Sequence, residues 1–73
     1  MYVCLMRHGK AQPFELHQPD KLRELTEKGC NQASSMAKWA ASWWPSGQTA
    51  LWVSPYVRTC QTASYLEKYF YFL

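Results

Sequence analysis

Two short apolar runs and one longer amphipathic segment make up the hydrophobic pattern of this chain. Residues 2–6 (Tyr-Val-Cys-Leu-Met) and 50–53 (Ala-Leu-Trp-Val) are continuous apolar runs with β-branched or aromatic members. Runs of this length are typical of short strands buried on both faces, as in a parallel sheet. A right-handed crossover would join two such strands. The pattern therefore predicts an α/β fold in the order β-α-β-α.

The segment between the two runs has the spacing of an α-helix. Thr26 is a predicted N-cap, and Pro45-Ser46-Gly47 cannot extend the helix beyond about Trp44. A face of mostly small residues recurs at intervals of three and four: Cys30, Ala33, Ala37, Ala40 and Trp44. Such a face would let the helix lie close to a sheet. Gly29 costs on the order of 1 kcal/mol relative to Ala in a helix, so it predicts close backbone packing against the loop at residues 7–8.

Arg7-His8-Gly9 directly follows the first apolar run. Open α/β sheets bind ligands at the carboxyl ends of their strands, which is where these residues would lie. Gly9 allows a sharp turn and a close approach of an anion to the main chain. A guanidinium suits phosphate, and an imidazole can act as nucleophile or base. The three residues predict an anion site, with a merely exposed Arg and His as the alternative.

The second apolar run ends at Ser54-Pro55, a pair that predicts a helix N-cap followed by proline at the first helical position. Arg58 would then lie in the first turn of this second helix. The N–H groups at a helix N-terminus bind phosphate, and a guanidinium adds to this. If the strands are neighbours, Arg58 reaches the Arg7-His8 site from the side. A solvated arginine is the alternative.

The remaining segments carry less information. Residues 10–20 contain two prolines and no periodicity, which predicts a loop over the site. Lys10 could add positive charge there or be solvated, and His17 suits a solvated position better than a catalytic one.

Residues 69–73 form an apolar run that would lie in water or pair with another chain. This ending predicts that the chain is a fragment.

Composition narrows the class of protein. The chain has 73 residues, which is enough for one domain at most. Of these residues 48% are hydrophobic and 16% aromatic, a composition that is not typical of a disordered chain. Its net charge of +3 comes from scattered Lys and Arg residues, which argues against a nucleic-acid surface. The first apolar run is too short for a signal peptide or a membrane span. We therefore expect a cytoplasmic protein without a membrane or nucleic-acid partner.

The three cysteines, Cys4, Cys30 and Cys60, lie far apart and are odd in number. Small core or boundary positions in a reducing compartment are the simplest interpretation. There is no Cys/His cluster that would suit a structural zinc site, so we expect no metal.

Three motifs in this order resemble those of the histidine phosphatase superfamily, which includes the phosphoglycerate mutases. They are Arg7-His8-Gly9, the segment 25–29 (Leu-Thr-Glu-Lys-Gly) followed by Gln32-Ala33, and the segment 54–63 (Ser-Pro-Tyr-Val-Arg-Thr-Cys-Gln-Thr-Ala). The compact spacing is most similar to the small, SixA-like phosphohistidine phosphatases. The resemblance implies a three-layer α/β/α, phosphoglycerate mutase-like (Rossmann-like) fold. Residues 1–73 would form only the N-terminal β-α-β-α half of that single domain, with a parallel sheet.

The resemblance also implies roles for these residues. His8 would be the nucleophile that forms a phosphohistidine intermediate, and Arg7 and Arg58 would bind the phosphoryl oxygens. Gly9 and Ser54 would complete the phosphate-binding set, with no cofactor and no metal. The substrate would be a protein carrying phosphohistidine, in signal transduction, or a small phosphorylated molecule. Mutase or sugar-phosphatase activity would need a proton donor, usually a Glu, that the sequence does not identify.

The chain also departs from the family pattern, because the second histidine of the family has no counterpart here. His17 precedes the first helix and lies on the wrong side of it in sequence. We therefore expect little or no turnover from the isolated chain. The alternative is a catalytically inactive phosphate-binding or protein-interaction fragment of the same fold, which would self-associate through exposed aromatic residues. A nucleotide-binding fold is disfavoured by the absence of a Gly-x-Gly-x-x-Gly or Walker-type loop.

Overall fold

The computed structural model describes residues 2–73 and contains two α-helices. Helix α1 spans Glu27–Trp43, helix α2 spans Val57–Leu66, and a single 3₁₀ turn at Asp20–Leu22 precedes α1. Within the described range, neither helix is long and apolar enough to cross a membrane.

Helix α1 begins and ends where the sequence predicts. Thr26 is the N-cap, and its side-chain oxygen accepts a hydrogen bond from the Gly29 N–H at 3.0 Å. The helix ends at Trp43 because Trp44 precedes Pro45 and takes the extended conformation that proline favours in its neighbour. The predicted span is confirmed to within one residue.

Helix α2 begins later than the sequence predicts. Its N-cap is Tyr56 rather than Ser54, so the predicted capping role of Ser54 is wrong. The Ser54 hydroxyl instead accepts a long hydrogen bond from the Tyr56 N–H (3.4 Å), and the Ser54 carbonyl accepts one from the Thr59 hydroxyl (2.7 Å). Residues 54–56 therefore form a turn before the helix. Arg58 still lies in the first turn of α2, as predicted.

The two predicted strands do not form. In the part of the chain that the structure describes, residues 2–6 and 50–53 have no regular secondary structure, and pairing is limited to single bridges at Ala11–Leu25 and Thr49–Phe72. Leu5 and Trp52 are both 94% exposed rather than buried. The predicted parallel sheet is thus absent from residues 2–73. The reason is that a short parallel pair gains stability only when further strands and helices on both faces bury it.

The core lies between the two helices and, apart from Leu25 just before α1, is built from small residues. Gly29, Ala33 and Ala37 of α1 are buried, as are Thr62 and Ala63 of α2. The small-residue face predicted to lie on a sheet therefore packs against α2 instead. Large side chains contribute little, since none in the described residues is fully buried. A core of this kind buries little apolar area, so the hydrophobic stabilisation is small.

The apolar C-terminal run packs partly on its own chain. The Phe70 ring meets Trp44 edge-on with the centroids 5.8 Å apart, and Phe72 stacks on Phe70 at 5.4 Å. Tyr71 and Leu73 alternate with these rings and remain exposed. The prediction that the run would lie in water or pair with another chain is therefore correct for Tyr69, Tyr71 and Leu73 but not for Phe70 and Phe72.

All three cysteines are free thiols. Cys30 is half-buried on α1, which fits the predicted boundary position. Cys4 and Cys60 are exposed, so the expectation of core or boundary positions is wrong for them. Cys4 is exposed because the strand that would have buried it does not form.

Candidate anion-binding site

The loop at residues 7–9 rests directly on the first turn of α1. A side chain at Gly9 would overlap the main-chain carbonyl of Gly29, and one at Gly29 would overlap the carbonyl of Lys10. The two glycines therefore allow the loop and the helix to approach at backbone distance. This contact confirms the packing that the helical Gly29 predicts.

The main chain of Lys10 is fixed to the same end of α1. Its carbonyl accepts hydrogen bonds from the Thr26 N–H at 2.8 Å and the Thr26 hydroxyl at 3.1 Å. Its N–H donates to Oε1 of Gln32 at 2.9 Å. The direction in which the chain leaves Gly9 is thus set by hydrogen bonds to α1.

The neighbouring residues Gln61 and Thr62 link α2 to two loops. The Thr62 hydroxyl accepts from the Gly9 N–H at 3.3 Å and donates to the Arg58 carbonyl at 2.8 Å. Oε1 of Gln61 accepts from the N–H of the buried Leu25 at 2.7 Å. Because a buried N–H without a partner is costly, these bonds give both side chains a positional role.

The imidazole of His8 has a defined orientation. Its Nδ1 lies 2.6 Å from the carbonyl oxygen of Gly9. Because a carbonyl can only accept, Nδ1 carries the proton in this contact, and Nε2 of the neutral ring then holds the lone pair. The ring nitrogen available to act as a nucleophile is therefore Nε2.

A polar pocket opens beside His8. Its lining consists of Arg7, His8, Gly9, Lys10, Ala11, Arg23 and Gln32. Three of these side chains are cationic, and the lining includes no carboxylate. The pocket is therefore suited electrostatically to an anion.

Arg58 does not line this pocket and is bound to Asp20. Its Nη1 donates to the Asp20 carbonyl oxygen at 2.9 Å and its Nη2 to Oδ2 of Asp20 at 3.2 Å. The guanidinium carbon also lies 4.7 Å from the centre of the Tyr56 ring, a cation–π contact. Oδ1 of Asp20 accepts from Nε of Arg23 at 2.8 Å. Asp20 therefore joins Arg58 to Arg23, which lines the polar pocket.

The environment of Asp20 favours its ionised form. Desolvation raises the pKa of the Asp20 carboxyl, but the hydrogen bonds from Arg58 and Arg23 and their positive charges outweigh it. The pKa therefore lies below the ordinary value of 3.8. Asp20 is thus charged near neutral pH, and the three residues form a salt-bridge network.

The structure brings some of the predicted site residues together and sets one apart. Arg7, His8 and Gly9 lie side by side, and Ser54 lines an adjoining apolar groove with them. Arg58 lines neither of these surfaces and is linked to the polar pocket only through Asp20 and Arg23, so it does not reach Arg7 and His8 from the side as expected.

Outside this set, His17 lies on the exposed loop and does not line the polar pocket. Among residues 2–73, no three His, Cys, Asp or Glu side chains are grouped so that they could hold a metal ion.

Sequence reasoning assigned no site role to five residues of this region: Asp20, Arg23, Gln32, Gln61 and Thr62. Three of them, Gln32, Gln61 and Thr62, do lie in the motifs that carry the resemblance. A usable signal was present for two of them, since Asp20 and Arg23 are three apart and can pair across one helical turn. The other contacts join segments that are distant in sequence, so no local pattern indicates them.

Comparison with known proteins identifies one family and two solved structures that this chain resembles. The family model of the histidine phosphatase superfamily (branch 1) matches residues 3–70. The crystal structure of SixA from Agrobacterium tumefaciens matches with a TM-score of 0.77 at 27% identity, over 93% of this chain and 46% of that one. The structure of the protein histidine phosphatase SixA complexed with tungstate matches with a TM-score of 0.70 at 33% identity, over 86% of this chain and 38% of that one. No curated protein sequence matches. The chain thus spans less than half the length of either solved structure.

Proposed function

The chain belongs to the histidine phosphatase superfamily (branch 1), and we propose that it carries the nucleophile of a phosphatase that hydrolyses a phosphoryl group. Its fold is correspondingly part of a phosphoglycerate mutase-like fold. The substrate proposed is phosphohistidine on a protein, in keeping with the likeness to a protein histidine phosphatase.

The observation that carries this proposal is the orientation of His8. Its Nδ1–H is held by the Gly9 carbonyl, which leaves the lone pair on Nε2. The same ring borders a pocket that is lined by three cationic side chains. A nucleophile of fixed tautomer beside an anion-binding pocket is the arrangement that phosphoryl transfer to histidine needs.

The reaction has two steps. In the first, Nε2 of His8 attacks phosphorus in line, so that an N–P bond forms as the bond to the leaving group breaks. In the second, water attacks phosphorus and releases inorganic phosphate, and His8 is regenerated. Arg7, which lines the pocket, neutralises charge on the equatorial oxygens. Arg58 does not line the pocket, so it must leave Asp20 before it can bind the same oxygens.

The identity of the leaving group favours phosphohistidine among the phosphorylated substrates. The leaving imidazole of a phosphohistidine substrate takes its proton from solvent on its second ring nitrogen, so it needs no positioned general acid, whereas a sugar alkoxide needs one. No carboxylate lines the polar pocket beside His8 within the described residues. A small phosphorylated molecule with a good leaving group would satisfy the same requirement.

The test is detection of the phosphoryl-enzyme. The purified chain is incubated with a phosphohistidine protein or with phosphoramidate, and acid-labile phosphate on the chain is located by mass spectrometry. We expect label on His8, with little or no multiple turnover. His8→Ala should carry none.

His17→Ala is the matched control, because it removes the other histidine of the chain from an exposed loop. It should label like the parent. Label that persists in His8→Ala, or that moves to His17, would contradict the assignment of the nucleophile.

A second candidate function is protein interaction without catalysis, and the exposed apolar surface favours it. Residues 4–6 and 50–53 border one groove, and Leu5, Trp52 and Tyr71 are almost fully exposed. Apolar surface of this kind is typical of a site that another polypeptide covers, either a second copy of this chain or a different protein.

Sedimentation over a concentration series tests this second function. Self-association that Trp52→Ser abolishes, together with absent phosphoryl transfer, would favour it. Leu16→Ser is the matched control, because Leu16 is also highly exposed but lies outside the groove.

A further inference from the structure

Arg23 lies at the polar pocket although no sequence motif assigns it a role. It lines the pocket together with Arg7, His8 and Lys10. Arg23 lies between the 3₁₀ turn and the N-cap Thr26. Its place in the fold follows from the Ala11–Leu25 bridge and the hydrogen bonds next to that bridge. Arg23 is therefore a cation that tertiary structure brings to His8.

The guanidinium of Arg23 is held from two sides. Its Nε donates to Oδ1 of Asp20 at 2.8 Å, and its Nη1 donates to the carbonyl oxygen of Gln12 at 2.9 Å. Within residues 2–73, these contacts use two of its five N–H groups. The side chain is about a quarter exposed (23%) and lines the polar pocket, with three N–H groups not used by Asp20 or Gln12.

We propose that Arg23 is an anion-binding residue of this site and that Asp20 orients it. The proposal rests on the proposed function, because the anion is the phosphoryl group that His8 receives. Arg23 donates to a phosphoryl oxygen with the N–H groups that Asp20 and Gln12 leave accessible. A planar guanidinium fixed by two bonds loses little freedom when it binds such a group.

Asp20 lowers the positive potential of the pocket but also fixes both arginines that it contacts. These two effects have opposite signs for anion binding. If the carboxylate acted only through its charge, its removal would tighten the binding of an anion. If its main effect is to orient Arg23, its removal weakens that binding.

The test is a titration of the 73-residue chain with tungstate, followed by amide-correlation NMR. Arg23→Gln is expected to weaken binding roughly tenfold or more, the usual loss for a charge-assisted hydrogen bond. Lys21→Gln is the matched control, since it removes the same charge from an exposed residue that does not line the pocket. It should change the affinity by less than about twofold.

Two further variants keep the test decisive if Arg23→Gln does not fold. Arg23→Lys retains the charge but not the planar fork, and it should weaken binding severalfold. Asp20→Ala should also weaken binding, despite removing a negative charge.

Each outcome decides one question. Equal effects of Arg23→Gln and Lys21→Gln, or tighter binding by Asp20→Ala, would overturn the role of Arg23 and Asp20. Arg7→Gln reports on the site itself, because it removes a cation that adjoins His8. If Arg7→Gln weakens tungstate binding while Arg23→Gln does not, only this inference fails. If neither weakens it, the proposed function fails with it.

Discussion

Two regions of this molecule differ in the interactions that fix their positions. The polar region comprises the loop at 7–12, the segment 20–29 and the start of α2 at 57–62, which are joined by hydrogen bonds between distant residues. The apolar region comprises residues 2–6 and 50–53, whose side chains are largely exposed. Both regions border His8, one through the polar pocket and the other through the apolar groove.

The difference follows from what each region needs in order to be stable. Directional bonds and glycine contacts can be completed by a few residues that the chain itself contains. Burial of a two-faced strand needs neighbouring strands and helices on both sides. The polar region therefore takes a defined geometry within these 73 residues, while the apolar region leaves its surface open to a further polypeptide.

The largest effect on stability is expected at the contact between Gly9 and Gly29. Alanine at Gly29 would gain about 1 kcal/mol of helix propensity, but its side chain would overlap the Lys10 carbonyl. We expect a net loss of about 3 kcal/mol or more in the free energy of unfolding, because the opposing atoms are backbone and cannot move cheaply. Thermal unfolding followed by circular dichroism measures this.

Asn31→Ala is the control for this substitution, since Asn31 is exposed on the same helix. It should leave stability unchanged or slightly higher. A stabilised Gly29→Ala variant would show that the loop does not rest on α1 in solution.

A smaller effect is expected from Thr62→Val, which keeps the shape of the side chain and removes its hydroxyl. The Gly9 N–H would lose its acceptor and the Arg58 carbonyl one of its donors. We expect a loss of about 1–2 kcal/mol and faster hydrogen exchange at the Gly9 amide.

Ser64→Ala is the control for Thr62→Val, because it removes a hydroxyl from an exposed position of α2. Unchanged exchange at Gly9 in Thr62→Val would mean that α2 does not hold this loop.

The Asp20 network predicts a dependence on acid pH. Because the folded-state pKa of Asp20 is below its ordinary value of 3.8, the ionised carboxylate stabilises the fold above that value. This contribution is lost as the pH falls through the folded pKa. NMR signals of the Arg23 and Arg58 Nε–H groups should therefore be steady from pH 7 to 5 and move below about pH 4.

Asp20→Asn serves as the reference for the titration, because it cannot ionise. Its Arg58 signal should stay constant over the same acid range. If the Arg58 signal moves equally in the parent chain and in Asp20→Asn, the movement is not caused by the titration of Asp20, and the prediction is wrong.

The smallest effect is expected in the apolar region. Leu5→Ser changes a side chain that is 94% exposed, so the free energy of unfolding should change by less than about 0.5 kcal/mol. Ala37→Ser, at a fully buried position of α1, should destabilise by more because it places a hydroxyl in the core. A loss of more than about 1 kcal/mol in Leu5→Ser would show that residues 2–6 are packed in solution, and the comparison between the two regions would fail.

Local pattern was sufficient to predict both helices and the limits of α1, but not the start of α2. The N-cap Thr26 and the Pro45 stop set the limits of α1 because capping and proline geometry act over a few residues. The start of α2 was missed because Ser54 and Pro55 allow either a cap or a turn, and in the structure they precede the helix, with the Ser54 hydroxyl accepting from the Tyr56 N–H.

The sequence by itself determined the two helices, the small-residue face of α1, the close approach at Gly29 and the adjacency of Arg7, His8 and Gly9. The helices, the small-residue face and the adjacency of Arg7, His8 and Gly9 depend on residues close together in the chain, where spacing and backbone sterics decide the outcome. A glycine inside a helix indicates a close approach by itself, although its partners Gly9 and Lys10 are distant in sequence. Only the tertiary structure decided that α1 packs on α2 rather than on a sheet. It also placed Arg58 against Asp20 and brought Arg23 to the pocket beside His8. Those outcomes depend on contacts between residues more than ten positions apart, and such contacts follow from how much surface the whole chain can bury rather than from any local pattern.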